Sequence, residues 1–171
     1  HIEFREGLGI PKEKHARADE IFKEEQAKRS TPFYEGAEEA LRQIYQNWTM
    51  AMVSSAYRSE IFTRLANANI LHFFMNIWAC EENGKYFHKA APIREAVARF
   101  AASADNAVMI GDRNVDFLHA VEAGIPQENV ILVDYGWGYD CAEMQKKGYC
   151  LNTRIDAPSK LIEGIREIQF K

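Results

Sequence analysis

The chain has 171 residues, 47% hydrophobic, 12% aromatic and 27% charged, enough for one cored domain with or without an appendage and unlike a disordered polymer. Lys and Arg number 21 against 25 Asp and Glu, so no overall positive field exists to hold nucleic acid or an anionic membrane surface. Cys80, Cys141 and Cys150 lack metal-site spacing and read as reduced thiols, and no apolar run nears the ~20 residues that span a bilayer. With no signal-peptide core at the start, the chain reads as cytoplasmic, with no nucleic-acid or membrane partner.

From His1 to Ser30 the sequence is rich in Lys, Arg and Glu, with a thin apolar stripe of Ala16, Ile21, Phe22 and Ala27. This predicts an exposed helix, or a helix pair broken near Pro11, with a boundary at Thr31-Pro32. Beyond it helices and strands alternate. Ala37, Leu41, Ile44 and Tyr45 fall at helical spacing before the strand "TMAMVSS". Ile61, Phe62 and Leu65 mark a helix before "FFMNIWAC", and Asn83-Gly84 a turn. Ile93, Ala96, Val97 and Phe100 mark another helix before "AVMIG". Val115, Leu118 and Val121 form a helical stripe that Gly124 caps, with Pro126 beyond. "VILVD", a Gly- and aromatic-rich loop from Tyr135 to Tyr139, a short polar helix and a last amphipathic helix entered at Pro158 complete the chain. The fold class is α/β: a parallel sheet with helices on both faces.

In such a sheet the C-terminal strand ends share one edge, so distant residues meet there. That edge receives Ser54 and Ser55, Asp112 with Asp116 one turn into the following helix, and Asp134. Asp112 and Asp116 suit Mg²⁺, a hard cation that keeps several waters; the other reading is that Asp112 or Asn114 caps the helix. Two carboxylates there repel unless a cation or basic group lies between them. Ser54 and Ser55 make an anion cradle, or one is an N-cap serine. Lys89, before the helix that Pro92 helps to start, is either solvated surface or the point charge for a phosphate.

In order, "AMVSS", "HKAAP" and "MIGDRNVDFLHAVEAG" resemble the second, third and fourth motifs of the haloacid dehalogenase superfamily of Mg²⁺-dependent phosphohydrolases, closest to its phosphoglycolate-phosphatase-like branch. "PFYEGAEEALRQI", "ANILHFF" and "ILVDYGWGYDCAEMQKKGY" resemble its intervening and closing segments, so the resemblance covers roughly residues 32–165. It implies a Rossmannoid core in which Ser54 and Ser55 bind the phosphoryl group and Lys89 neutralises nucleophile and phosphate. Asp112 would bind Mg²⁺, and Asp116 would bind it or orient a metal-bound water. Ala90 and Ile93 stand where the family often has Pro and Asp, and Ser55 where many relatives have Asn.

The family's first motif, Asp-x-Asp, supplies nucleophile and general acid from the central strand, and this sequence contains no Asp-x-Asp. The resemblance therefore implies that the nucleophile lies upstream of His1. It makes residues 1–31 the C-terminal part of a helical cap, and 32–171 a core lacking its first strand and inactive by itself. The expected function is a Mg²⁺-dependent phosphatase of a small phosphorylated metabolite, working through an aspartyl-phosphate. A catalytically silent binding or regulatory module and a sugar-phosphate mutase are the alternatives; a generic dinucleotide-binding domain is disfavoured, since no GxGxxG or GxxxxGK[ST] loop occurs.

Overall fold

The computed structural model describes residues 9–28, 32–80, 88–136, 140–149 and 153–168. The chain divides into two compact units, His1–Pro32 and Phe33–Lys171. In the first, Pro11 precedes a 3₁₀ turn, Lys12–Lys14, which runs into helix α1, His15–Lys28. The ring Nε2 of His15 lies 2.8 Å from the carbonyl of Ile10 and ties the turn to the helix. Ile21, in the predicted apolar stripe, is 47% exposed; the side chains of Phe22 and Ala27 lie outside those described.

The second unit alternates helix and strand as its apolar runs dictate: α2 (Ala37–Asn47), β1 (Met50–Tyr57), α3 (Arg58–Asn67), β2 (Phe74–Cys80), α4 (Ala90–Phe100), β3 (Met109–Gly111), α5 (Asn114–Glu122), β4 (Val130–Val133), α6 (Cys141–Lys146), β5 (Thr153–Ile155) and α7 (Leu161–Glu167). The strand pairs among the described residues are all parallel. β4 is buried throughout, and its alternating side chains feed two cores. Ile131 and Val133 pack with Ala40 and Ile44 of α2 and Leu161 and Ile165 of α7. Val130 and Leu132 pack with Ile93 of α4 and Phe117 and Ala120 of α5. Helices therefore cover both faces. A third core gathers Ile61 and Leu65 of α3 with Phe73 and with Ile77 and Ala79 of β2.

The sheet is in two pieces, β1–β2 and β3–β4–β5, and among the described residues no ladder joins β1 to β3. Side chains bridge where backbone does not: Met50 of β1 packs against both the α2/α7 core and the α3/β2 core.

Two local signals are fulfilled. Gly124 takes φ 100 after α5, and the Ile125 N–H donates to the Ala120 carbonyl at 3.1 Å while the Gly124 N–H donates to Val121 at 3.0 Å. That is a left-handed glycine cap closing a Schellman turn. Pro158 opens the 3₁₀ turn leading into α7. β5 is an addition: its three residues carry Arg154 in the middle and no apolar run marks them. The Asn83-Gly84 turn and Cys150 lie outside the described residues.

Candidate functional site

The junction of β3 and α5 is built around Asp116. Its side chain is 4% exposed; Oδ1 accepts from the Lys89 ammonium at 2.6 Å, and Oδ2 accepts from the backbone N–H groups of Asp112 and Arg113 at 3.2 Å each. The carboxylate fits because Gly111 has no side chain: a Cβ there would meet the Asp116 Cβ at 2.5 Å. The reading in which Asp112 or Asn114 caps the helix is corrected. The residue that reaches back to cap is Asp116, at the third helical position; Arg113 holds the N-cap position and Asn114 starts the helix.

Lys89 supplies a basic group to Asp116, one of the two carboxylates at this junction. Its side chain is 13% exposed, so it is not solvated surface. Its main chain is also held, as its N–H points to Nδ1 of His119 at 3.4 Å. His119, 7% exposed, lies three residues beyond Asp116 in α5. Burial and the neighbouring His88 hold its pKa below the ordinary 6.5. Sequence reasoning missed His119. The available signal is its place at i+3 from Asp116, on the same helical face.

Asp112 sits half-buried beside the loop that follows β4. Gly136 presses on it: a Cβ on Gly136 would collide with the Asp112 carboxylate, meeting Cγ at 2.7 Å. The phenol of Tyr135 is pushed up to about 12 by burial, with further contributions from Tyr34 and Asp112, and its ring meets that of Tyr34 edge-on at 5.1 Å. Asn114 anchors the far side of this loop. Its Oδ1 accepts from the Asp140 N–H at 3.0 Å and its Nδ2 donates to Glu143 at 2.9 Å, while Asp140 caps α6 by accepting from the Glu143 N–H at 2.9 Å. Residues 137–139 of the aromatic loop are not among those described.

Ser54 and Ser55 stand in a bulge. Ser54 pairs with Ala79 and the next pair is Tyr57 with Cys80, so β1 runs on past the serines that the sequence reading takes as its end. α3 begins at Arg58 with Tyr57 as its N-cap, so neither serine caps it. The Ser54 hydroxyl accepts from the Ala56 N–H at 3.2 Å. Val53, next to Ser54, packs against the core that contains Ala90, next to Lys89, and this brings β1 toward the lysine. Asp134 is not gathered in. Its Oδ2 takes Arg154 of β5 at 2.6 and 3.1 Å.

The arrangement offers hard oxygen donors next to an ammonium, the chemistry that suits a phosphate with Mg²⁺. Asp112 and Asp116 are the carboxylates available. No group of three or more His, Cys, Asp or Glu able to hold a metal occurs among the described residues. An open hollow of about 480 Å³ lies elsewhere, lined by Phe33, Tyr34, Gly36, Glu38, Glu39 and Arg42, and none of the five candidate residues lines it. No described helix is long and apolar enough to cross a membrane.

Residues 3–130 match the model of the family described as haloacid dehalogenase-like hydrolase. Solved structures resemble the fold. A proposed phosphatase from Clostridium difficile is 23% identical with a TM-score of 0.78, over 95% of this chain and 75% of that one. A predicted phosphatase from Clostridium acetobutylicum is 27% identical with a TM-score of 0.64, over 78% and 60%. A predicted phosphoglycolate phosphatase from Haemophilus somnus is 19% identical with a TM-score of 0.69, over 86% and 63%. The chain thus spans less than two thirds of the second and third. No curated protein matches it.

Proposed function

The chain belongs to the haloacid dehalogenase-like hydrolase family, and from that premise we propose that the intact protein is a cytoplasmic Mg²⁺-dependent phosphatase of a small phosphate monoester. The observation that carries this reading is the Lys89–Asp116 pair at 2.6 Å, set against the Asp112 backbone at the end of β3. A part-buried ammonium paired with one carboxylate, whose second oxygen takes the backbone of the residue that carries another, is a charge set that suits a phosphate and a divalent cation, and phosphoryl transfer is chiefly positioning and electrostatic stabilisation.

In this reading Ser54 and Ser55 donate hydrogen bonds to the phosphoryl oxygens, and Lys89 balances the charge gathering between nucleophile and phosphate. Asp112 would hold Mg²⁺ directly. Asp116, whose two oxygens already accept from Lys89 and two amides, would bind it or orient a metal-bound water. When bound, Mg²⁺ supplies Lewis-acid stabilisation of the phosphoryl oxygens. The nucleophile belongs to an Asp-x-Asp segment upstream of His1, on a strand between β1 and β3. The absence of a ladder between β1 and β3 among the described residues supports this, since open backbone in a sheet interior calls for a partner. The carboxylate oxygen of its first Asp bonds to phosphorus as the ester oxygen leaves, and the second Asp protonates the leaving oxygen. Water then cleaves the acyl phosphate to give phosphate and the restored carboxylate. Residues 1–31 are the tail of a cap and 32–171 the core, and the 171-residue chain by itself is inactive.

The test is a phosphate-release screen of the intact protein over small monoesters, p-nitrophenyl phosphate and phosphoglycolate among them, with Mg²⁺ or with EDTA. Release only with Mg²⁺ is the expected result. Isomerisation of a hexose phosphate without net release would make the protein a mutase. No turnover on any ester would make it a silent binding module.

A further inference from the structure

Helix α5 turns two polar side chains, one turn apart, toward the same lysine. Asp116 holds the Lys89 ammonium at 2.6 Å, and His119 faces the Lys89 main-chain N–H with Nδ1 at 3.4 Å. The Lys89 carbonyl accepts from the Ile93 N–H at 2.9 Å as α4 begins, which holds the helix side of its main chain. His119 supplies the hold on the other side, at the main-chain N–H. It is buried, and the ring of His88, the residue before Lys89, lies over it with centroids 4.0 Å apart and planes at 46°.

An imidazole nitrogen that accepts from an amide must be unprotonated, so the ring proton sits on Nε2. The charged groups facing His119 are Lys89 and His88 ahead of α4, and Asp116 and Glu122 on its own helix. Glu122 is itself occupied: His88 approaches it at 3.4 Å, and Arg94 of α4 at 3.6 Å. That leaves His119 to the lysine.

We propose that His119 is a positioning residue for Lys89: its Nδ1 fixes the lysine's main chain while Asp116 fixes its ammonium, so the charge is presented to phosphate from a lysine held at both ends. The role toward phosphate rests on the phosphatase reading; the hold on Lys89 does not. The intact protein, labelled with ¹⁵N at histidine and backbone, tests the hold by NMR. The expected result is a His119 ring protonated on Nε2 and bare on Nδ1 at neutral pH. Amide exchange at Lys89 should speed up about tenfold in His119→Leu and stay slow in His119→Asn, whose side-chain oxygen can replace Nδ1. A proton on Nδ1, or unchanged exchange at Lys89 in a folded His119→Leu, overturns it; should that variant fail to fold, the ring tautomer of the unaltered chain decides. In the intact enzyme, His119→Leu should lower kcat about tenfold with KM little changed, and His119→Asn should restore it. An unchanged kcat overturns the positioning role. Absence of phosphate release in the unaltered protein defeats the phosphatase reading instead, and the exchange result then decides the hold on Lys89.

Discussion

Lys89 and Asp116, 13% and 4% exposed, form an ion pair that has given up most of its hydration. Removing one partner of such a pair strands the other charge in a poorly solvating place, which costs about 3 kcal/mol. Asp116→Ala should lower the stability of the chain by that order in urea unfolding, and Lys89→Met should cost less, because the remaining carboxylate keeps two backbone donors. Gly111→Ala should resemble Asp116→Ala, since its Cβ would occupy the place of the Asp116 side chain. His119 gives a pH dependence with a definite sign. Its folded pKa lies below 6.5, so as pH falls through about 6.5 the unfolded ring takes a proton that the folded ring resists. Stability should therefore fall with pH through that window and level off below the folded value. His119→Asn should lack this part of the slope, and urea midpoints between about pH 7.5 and pH 5 in both proteins would measure it.

At the scale of elements, the loop after β4 is pinned at two points. Asp140 caps α6, and its loss to Ala should cost about 1 kcal/mol in thermal or urea unfolding. Gly136 abuts Asp112, so Gly136→Ala should displace that carboxylate and, if Asp112 holds Mg²⁺ as proposed, weaken Mn²⁺ or Mg²⁺ binding about tenfold, with little change in stability because Asp112 is only half-buried. How far each element could be read from sequence follows its burial. β4 is buried on both faces and its "VILV" is a continuous apolar run, whereas β5, three residues with a charged Arg154 in the middle, leaves no periodic trace. The strand end at Gly111 was legible because a glycine interrupts the apolar run, whereas the serines that interrupt β1 do not end it. The bulge that carries β1 on to Tyr57 was not legible, as it depends on register with β2. Asp116 was legible as a partner of Asp112, but its reach back to cap α5 and its pairing with Lys89 depend on a contact 27 residues away. His119 reads in sequence as one polar residue in an apolar helix, and only packing against α4 gives it a task.

At the scale of the molecule, two parallel sheets share an interior but, among the described residues, no ladder; β1 carries the serines, and the carboxylates follow the end of β3. The proposed phosphatase site, divided in this way, has its serines and its carboxylates on either side of the strand proposed to bring the nucleophile, so the 171-residue chain should release no phosphate while the intact protein does. Most directly, the central claim is tested by the rate of phosphate release from a small monoester by the intact protein, measured against Mg²⁺ concentration for the unaltered enzyme and for Asp112→Asn. The account predicts turnover that rises with Mg²⁺, is abolished by EDTA, and falls at least about 100-fold in Asp112→Asn. Turnover that is indifferent to EDTA, or an Asp112→Asn enzyme as fast as the unaltered one, would contradict it.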